Sequence, residues 1–414
     1  MLGMPQGDHD FIIEHSNNIR AGRPVLAGRR RDTMTATLTL RDLNRATLRR
    51  QLLTERSENL SAVQVIEHLV GLQAQDPDPP YIGLWSRIAG FRLDDLTRSL
   101  SDREVVRATL FRGTQHLLAA QDYLWLRPLL QPMLDRWQKG GFGRFTKGLD
   151  LTELADFARE LLRDAELPRP ELGRALTGRW PGRDPVALAR SVQGLLEIVH
   201  PPPNGTWGRH GTTPFALADR YLAQTGGAGP RERTEAAGKS GARRPPAQEL
   251  LLRYLAAFGP ASVRDVQAWS GMTRLAEVAD ALRPRLRAFR TETGAELFDL
   301  PDAPLPAPDT PVPVRFLAAL DNVVLGHADR SRMMADDRRK HVIVEAALLV
   351  DGFVEGLWNI KQQKGVATLT VKLFKPLSGS DEDAVAEEGT RLLRFAAEKA
   401  ATHRLRFTPV EGDG

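Results

Sequence analysis

The chain has 414 residues, of which 42% are hydrophobic and 26% charged, the balance of a folded protein with two or three domains. It contains no cysteine, which excludes disulfides, cysteine-ligated zinc, Fe–S clusters and thiol nucleophiles. No apolar run is long enough to span a bilayer, and the first residues lack a signal-peptide core. We therefore predict a cytoplasmic protein with no membrane association.

The basic residues are mostly arginine. Lysine accounts for nine of the 57 basic residues, which leaves 48 arginines, and the formal net charge is +5. The planar guanidinium suits phosphates and base edges, although a GC-rich coding bias explains the excess equally well. Either way, this charge balance favours a polyanionic partner.

The first 33 residues are polar and end in three arginines, and we predict that 1–33 is a disordered N-terminal extension. Hydrophobic periodicity then predicts three helices, and Ser61 is a natural N-cap for the second. "EVVRATLFRG" and "TQHLLAA" alternate like paired strands around Gly113. Three helices followed by a hairpin outline a winged helix, the first unit, at 34–150. The predicted helices cover 41–53, 61–72 and 91–102.

The outline recurs twice along the chain. In a second unit, at 151–223, two helices precede a predicted hairpin around Asn204-Gly205, the strongest short hairpin signal. A Gly-, Arg- and Pro-rich linker is predicted at 224–246. A third unit, at 247–301, supplies three helices and a hairpin turning near Thr293-Gly294.

The last region, 302–414, has a different pattern. A proline-rich connector leads into three strands joined at Asp351-Gly352 and at 363–365, and a helix over 381–400 closes the region. We therefore predict an α+β fold with tandem winged-helix units and a C-terminal antiparallel β region.

Gln73 and Gln75 are one residue apart in "GLQAQDPDPP". The prolines that follow disfavour a continuing helix, and an extended segment places residues i and i+2 on one face, about 7 Å apart. Two neutral amides facing one spot can hold a water, a phosphate or a sugar, but they are poor proton acceptors. On spacing alone, such a pair is more often a backbone cap or faces solvent.

Other candidate residues carry weaker signals. His116 alternates with apolar neighbours, a pattern typical of a core histidine. Arg330 and Arg332 lie in a polar loop with His327, which predicts either a phosphate site or surface ion pairs. The histidines show no metal-ligand spacing, and no nucleophile-elbow, phosphate-loop or dinucleotide fingerprint is present.

Several long segments together resemble the AlkZ-type winged-helix DNA glycosylase family, in order from Leu40 to Ala400. These segments are "GLQAQDPDPPYIGLWSR", "RATLFRGTQHLLAAQDYLWL", "FLAALDNVVLGHADRSR" and "LLVDGFVEGLWNIK". The resemblance implies a C-shaped protein whose tandem winged helices cradle DNA. It also implies catalysis by a glutamine–apolar–glutamine motif, which falls on Gln73, Ala74 and Gln75.

The implied reaction is excision of N7- or N3-alkylated purines, extending to the unhooking of interstrand crosslinks, by water attack at C1′ without a cofactor or metal. No lysine is near the motif in the sequence, so we expect a monofunctional enzyme that leaves an uncut abasic strand. The expected partner is damaged double-stranded DNA, bound by a nucleoid-associated monomer. The residues expected to bind DNA are Arg112, His116, Asn322, Arg330 and Arg332.

Two other interpretations fit the same outline. A winged-helix transcriptional regulator would bind a defined sequence, use dimer symmetry and tolerate loss of both glutamines. A ligand-binding or toxin-sequestering protein would keep the scaffold without the chemistry.

Overall fold

The structure, a computed structural model, describes residues 36–223, 245–343 and 345–410. The predicted extension at 1–33 and most of the predicted linker at 224–246 lie outside these residues. The described ranges form a mixed α+β fold with 16 α-helices and 14 strands, which confirms the predicted class. None of the helices in these ranges is both long and apolar enough to cross a membrane.

The helices are short to medium in length, and many begin with a capping side chain or a proline. The α-helices are α1 Leu40–Arg50, α2 Ala62–His68, α3 Pro79–Trp85, α4 Leu93–Ser101, α5 Ala120–Leu129, α6 Gln131–Phe142, α7 Leu151–Leu162, α8 Arg169–Arg179, α9 Pro185–Leu195, α10 Ala218–Ala223, α11 Pro246–Phe258, α12 Val263–Ser270, α13 Leu275–Leu282, α14 Asn322–Leu325, α15 Arg339–Val342 and α16 Gly379–Ala396.

The strands form three sheets. The strands are β1 Thr37–Leu38, β2 Leu72–Gln73, β3 Val105–Thr109, β4 Gln115–Ala119, β5 Leu167–Pro168, β6 Ile198–Val199, β7 Pro214–Leu217, β8 Arg287–Thr291, β9 Glu296–Asp299, β10 Arg315–Phe316, β11 Ala346–Val350, β12 Phe353–Gln363, β13 Val366–Leu373 and β14 Thr402–Pro409.

One order of elements, helix–strand–helix–helix–strand–strand, occurs three times. It runs α2-β2-α3-α4-β3-β4, then α7-β5-α8-α9-β6-β7, then α11-α12-α13-β8-β9 with Ala261 in place of the first strand. In each copy the first strand pairs antiparallel with the last: β2 with β4, β5 with β7, and Ala261 with Phe298 of β9. The three copies differ in sequence but share this strand pairing.

The first two copies share one six-stranded sheet, whose order is β2-β4-β3-β6-β7-β5. From either edge the first three strands are the first, last and middle strand of one copy, so a pseudo-twofold axis relates the two halves of the sheet. They join where Ala108 of β3 pairs with Val199 of β6. We call β2, β4 and β3 the near half, and β5, β7 and β6 the far half.

Most predicted elements of the first and third copies are confirmed. Ser61 caps α2 through the backbone N–H of Gln64, whose side chain bonds back to Ser61. The predicted hairpins near Gly113 and Gly294 are β3–β4 and β8–β9. Helix α3 was not predicted, because prolines at its first two positions were interpreted as a break; these positions tolerate proline.

The predicted tight hairpin at Asn204-Gly205 is wrong in its loop. Strands β6 and β7 do pair antiparallel, but β7 begins only at Pro214. The intervening loop makes its own contacts: the Asn204 side chain donates to the carbonyl of Thr212, and the N–H of Gly208 donates to Asp78 at 2.7 Å. Contacts with a distant loop override the local turn signal here.

The C-terminal region is a five-stranded sheet in the order β10-β11-β12-β13-β14. Its first three pairings are antiparallel, as predicted, and the turns at Asp351-Gly352 and 363–365 are confirmed. The expected end of the region is wrong, because β14 follows helix α16 and pairs parallel with β13. A helix that crosses one face of a sheet returns the chain in the parallel direction.

Several arginines lie inside the protein. Arg50 pairs with Asp299 and Arg87 pairs with Asp321, each at 2.7 Å. All four side chains are almost completely buried. Burying a charge is costly unless it is paired and hydrogen-bonded, so these pairs lock distant segments together. The arginines buried among the described residues are Arg45, Arg50, Arg87, Arg107, Arg127, Arg315 and Arg332.

Candidate active site at the edge of the near half

The glutamine motif lies at the edge strand of the near half. Helix α2 ends at His68, and Gly71, with φ of +104°, turns the chain into β2. Gln73 is half-buried, Ala74 is buried and Gln75 is exposed. A buried residue between two more accessible ones is the alternation of an extended segment, as the sequence predicted.

Arg107 of β3 holds the main chain of the motif. Its Nε and Nη2 donate to the carbonyl of Ala74 at 3.0 and 2.8 Å, and Nη2 also donates to the carbonyl of Gln75 at 3.0 Å. The side chain is buried, and burial lowers the pKa of Arg107 to about 10. The guanidinium is therefore charged at neutral pH and fixes both carbonyls that follow the strand.

Arg112 holds the side chain of Gln73. Its Nη2 donates to Gln73 Oε1 at 2.9 Å, and Nη1 donates to the carbonyl of Trp269 at the end of α12. Burial and, secondly, the cation of Arg330 lower the pKa of Arg112 to about 10. Arg112 lies in the turn between β3 and β4 with φ of +56°, so the hairpin turn points this cation at the motif.

Gln75 is held more loosely than Gln73. Its Oε1 accepts from the backbone N–H of Gln115 at 3.4 Å, near the limit of a hydrogen bond. The residue is exposed. The two amides therefore differ in how strongly they are restrained.

His116 lies directly opposite Gln73 in the pairing of β2 with β4. It is buried, and its Nδ1 contacts the carbonyl of Thr114 at 3.0 Å. Burial, followed by the charge of Arg112, lowers the pKa of His116 to about 3. The imidazole is neutral at physiological pH, which removes it as a general acid and leaves a supporting role beneath the motif.

Asn322 also supports the motif from within. Its Nδ2 donates to the carbonyl of Gly71 at 2.7 Å, and only 5% of the residue is exposed. The bond fixes the turn that leads into β2. A direct DNA contact, expected from the resemblance, has no accessible surface to use at this position.

Arg330 and Arg332 are separated by one residue but have different surroundings. Arg332 is buried and donates to the carbonyl of Pro260 at 2.9 Å and to Thr47 at 3.3 Å. These internal bonds argue against a phosphate contact. Arg330 is half-buried, and its Nε and Nη1 have no hydrogen-bond partner among the described residues. Both nitrogens are withdrawn from solvent, so only the rest of the half-buried guanidinium is available to a ligand.

The loop between β6 and β7, residues 200–213, contacts the segment that follows the motif. Asp78 accepts from the N–H of Gly208 and contacts His210 Nε2 at 3.3 Å. Gly205 lies against Arg107, since a Cβ at this glycine would come within 2.8 Å of Arg107 Nη1. Both halves of the sheet therefore help to fix the glutamine segment.

Sequence reasoning did not identify Arg107 as a site residue. The available signal is an arginine at the centre of "VVRAT", where all five residues of the strand are buried. A buried cation requires partners, but the sequence does not indicate which ones. Within the described residues, no cluster of three or more potential metal ligands occurs.

Comparisons with known proteins address the family and the fold. A family model described as DNA glycosylase AlkZ-like matches residues 66–395. The solved structure of the Streptomyces sahachiroi DNA glycosylase AlkZ superposes with a TM-score of 0.71 at 21% identity, covering 90% of this chain and 100% of that one. None of the curated proteins compared with the chain matches it.

The family match spans most of the chain, from α2 to the end of α16, and includes both glutamines and both arginines that hold them. The structural likeness independently supports the fold. Membership supports DNA glycosylase activity and binding of a DNA substrate. The chain belongs to the AlkZ-like DNA glycosylase family.

Proposed function

We propose that the protein is a monofunctional DNA glycosylase that excises N7- or N3-alkylated purines and unhooks interstrand crosslinks built on them. The observation that carries the proposal is the pair of neutral amides at a strand edge, where Arg112 holds the Gln73 side chain and Arg107 holds the main chain of Gln75. In the described residues, neither amide hydrogen-bonds a lysine or a carboxylate. This composition favours hydrolysis without a covalent intermediate.

The chemistry suits a base that is already a good leaving group. An N7- or N3-alkylated purine is cationic, so its glycosidic bond breaks without a strong acid. The sugar then resembles an oxocarbenium ion, and water adds to C1′. Preorganised dipoles can stabilise such a charge and orient the water. Gln73 and Gln75 supply these dipoles in our proposal, and the product is an abasic site in an uncut strand.

Arg330 supplies the most direct phosphate contact in this proposal. Its Nε and Nη1 are buried, so in this proposal the phosphate accepts from Nη2. The charge of Arg330 contributes to the lowered pKa of Arg112, so Arg330 lies within electrostatic range of the residue that holds Gln73. A phosphate beside Arg330 would therefore bring the adjoining sugar close to the two glutamines.

The three copies of the helix–strand–helix–helix–strand–strand order support the predicted tandem winged helices. We propose that the protein binds duplex DNA through them and acts as a monomer. The motif lies at an exposed edge rather than inside a deep pocket. A bulky lesion could then be processed without the extrusion that most glycosylases need. The C-shaped arrangement expected from the resemblance stays a prediction.

The test uses a duplex with one N7-methylguanine in a labelled strand. Under single-turnover conditions the wild-type protein should create abasic sites, which hot alkali converts to strand breaks, whereas omission of alkali should leave the strand intact. Gln73→Ala and Gln75→Ala should each lower the rate by about 100-fold, the effect of losing one preorganised hydrogen-bonding group. Arg163→Ala, at an exposed ion pair on α7, is the control.

Three outcomes separate the alternatives. Breaks that appear without alkali would contradict a monofunctional reaction. Unchanged activity in both glutamine variants would move the chemistry elsewhere. Binding to a defined undamaged sequence with no base release would instead favour the transcriptional regulator.

A further inference from the structure

Arg112 connects the motif to the third copy of the repeated order. One nitrogen donates to the Gln73 side chain, and the other donates to the carbonyl of Trp269. The contact between the two segments is close on the backbone as well. A Cβ at Gly271, two residues beyond Trp269, would lie 3.2 Å from the main-chain nitrogen of Arg112. The guanidinium is therefore held at both of its ends.

The surroundings of this bridge are rigid. Phe111, which precedes Arg112, packs against the Trp269 ring with centroids 4.3 Å apart, and both aromatic residues are buried. Packing of this kind restricts side-chain motion. Arg112 thus presents a fixed donor to Gln73 rather than a mobile surface cation.

A fixed arginine determines which way the amide faces. A guanidinium has only N–H donors, so the group it contacts must be the amide oxygen. The Gln73 NH2 group consequently points away from Arg112, and its two N–H donors are the part of the side chain left for a ligand. The half-buried position of Gln73 leaves that group accessible.

Gln75 lacks a comparable restraint. Its oxygen accepts one long bond, at 3.4 Å, from a backbone N–H, and its exposed side chain can turn. Such an amide can offer its carbonyl oxygen to a water molecule. The two glutamines are therefore suited to opposite hydrogen-bonding roles.

We infer that Arg112 is a positioning residue that makes Gln73 a hydrogen-bond donor to the substrate, while Gln75 is the acceptor that orients water. The inference rests on the proposed function and divides the work between the two amides. The water oxygen bonds to C1′ and releases its proton to solvent. The C1′–N9 bond breaks, and its electron pair goes to the cationic base, which leaves neutral. Gln73 donates to the departing base as its ring nitrogens gain electron density.

The first test is Gln73→Glu compared with Gln73→Ala in single-turnover excision of N7-methylguanine. Glutamate keeps acceptor oxygens that can pair with Arg112, but its ionised carboxylate has no donor. Both variants should lose about 100-fold. A Gln73→Glu variant that retains a near-wild-type rate would show that the carbonyl is the working group and would overturn the inference.

The second test is a double-mutant cycle with Arg112→Lys. Lysine keeps the positive charge but cannot reach Gln73 and the Trp269 carbonyl with one rigid fork. The excision rate should fall about tenfold in the wild-type background and stay unchanged when Gln73 is already alanine, because coupled residues are not additive. The affinity for undamaged duplex and its salt dependence should not change, since the charge is kept.

Arg127→Lys is the matched control. Arg127 is also buried and bridges main-chain carbonyls, those of Gly194 and Leu196. It should lower the thermal midpoint without changing the rate constant. A rate loss from Arg112→Lys of equal size in both Gln73 backgrounds would overturn the inference, since Arg112 would then act independently of Gln73. A wild-type protein that releases no base would instead remove the proposed function.

Discussion

The near and far halves of the six-stranded sheet share a scaffold but differ at one junction. In the far half, β5 ends at Pro168 and α8 begins at Arg169 with no residue between them. In the near half, five residues separate the end of β2 from the start of α3. Counted from the junction of Ala108 with Val199, His116 corresponds to Ala216, so Pro168 takes the position of Gln75.

The difference teaches how a binding scaffold can acquire a chemical site. The extra segment moves Gln75 out of the strand, and two arginines of the β3–β4 hairpin hold what the insertion exposes. In the far half, a proline occupies the position of Gln75 and offers neither an amide nor a backbone donor. The insertion and its anchors, rather than the repeated order of elements, distinguish the candidate site.

The largest expected effect concerns Arg107, which anchors the insertion. Arg107→Ala removes three donors from the carbonyls of Ala74 and Gln75, and we expect at least a tenfold slower single-turnover excision with about 1–3 kcal/mol lower stability. Arg190→Ala is the control from α9, in the copy that contains the far half, because Arg190 donates to Gln193 rather than to the motif. Equal rate losses in both variants would remove the distinction between the halves.

A smaller effect is expected from Arg330→Ala. Loss of one phosphate contact should weaken duplex binding about tenfold and reduce the slope of log affinity against log salt by about 1. Fluorescence anisotropy over a salt series measures both quantities. Arg163→Ala, a surface variant at the end of α7, should leave the slope unchanged. If Arg330→Ala also leaves the slope unchanged, the phosphate binds elsewhere.

How far the sequence predicts the molecule depends on the range of the interactions involved. Local signals identified Ser61 as an N-cap and the turns at Gly113 and Gly294, because capping and turn geometry depend on adjacent residues. The glutamines were recognised through the resemblance. The longer loop before Pro214 and the strand after α16 were missed or misplaced, since contacts distant in sequence determine them. Helix α3 was missed for a local reason, because its first two positions are prolines.

The same limit applies to the site. Arg112 and Arg330 were named from the sequence, but the hydrogen bond to Gln73 and the unpaired nitrogens are visible only in the fold. His116, Asn322 and Arg332 were expected to face DNA, yet all three are buried. A polar residue in a segment that resembles the family needs a hydrogen-bond partner. Only the packing shows whether that partner is inside the protein or is a ligand.

The smallest expected effect is one that the two halves should share. His116 of the near half and His200 of the far half are buried, and burial lowers the pKa of each to about 3. An unfolded histidine binds a proton below about pH 6.5, so the unfolded chain takes up more protons between pH 6.5 and 3. Stability therefore falls with acidification, by up to about 1.4 kcal/mol per pH unit for each histidine.

Urea denaturation at pH 7.5 and 5.5 measures this loss. His116→Gln and His200→Gln should each reduce the difference between the two pH values by a similar amount. A change confined to one variant would show that the halves are not equivalent in their interiors, despite their matching strand order.

The buried arginines alter what the protein presents to its surroundings. Seven guanidinium groups of the described residues are buried and bind internal partners, and among them Arg50 and Arg87 pair with buried carboxylates. The calculated pI of 9.6 counts all of them as though they were on the outside. On a cation-exchange resin, or against a nucleic acid, the folded molecule should compete as a less basic species than its composition suggests.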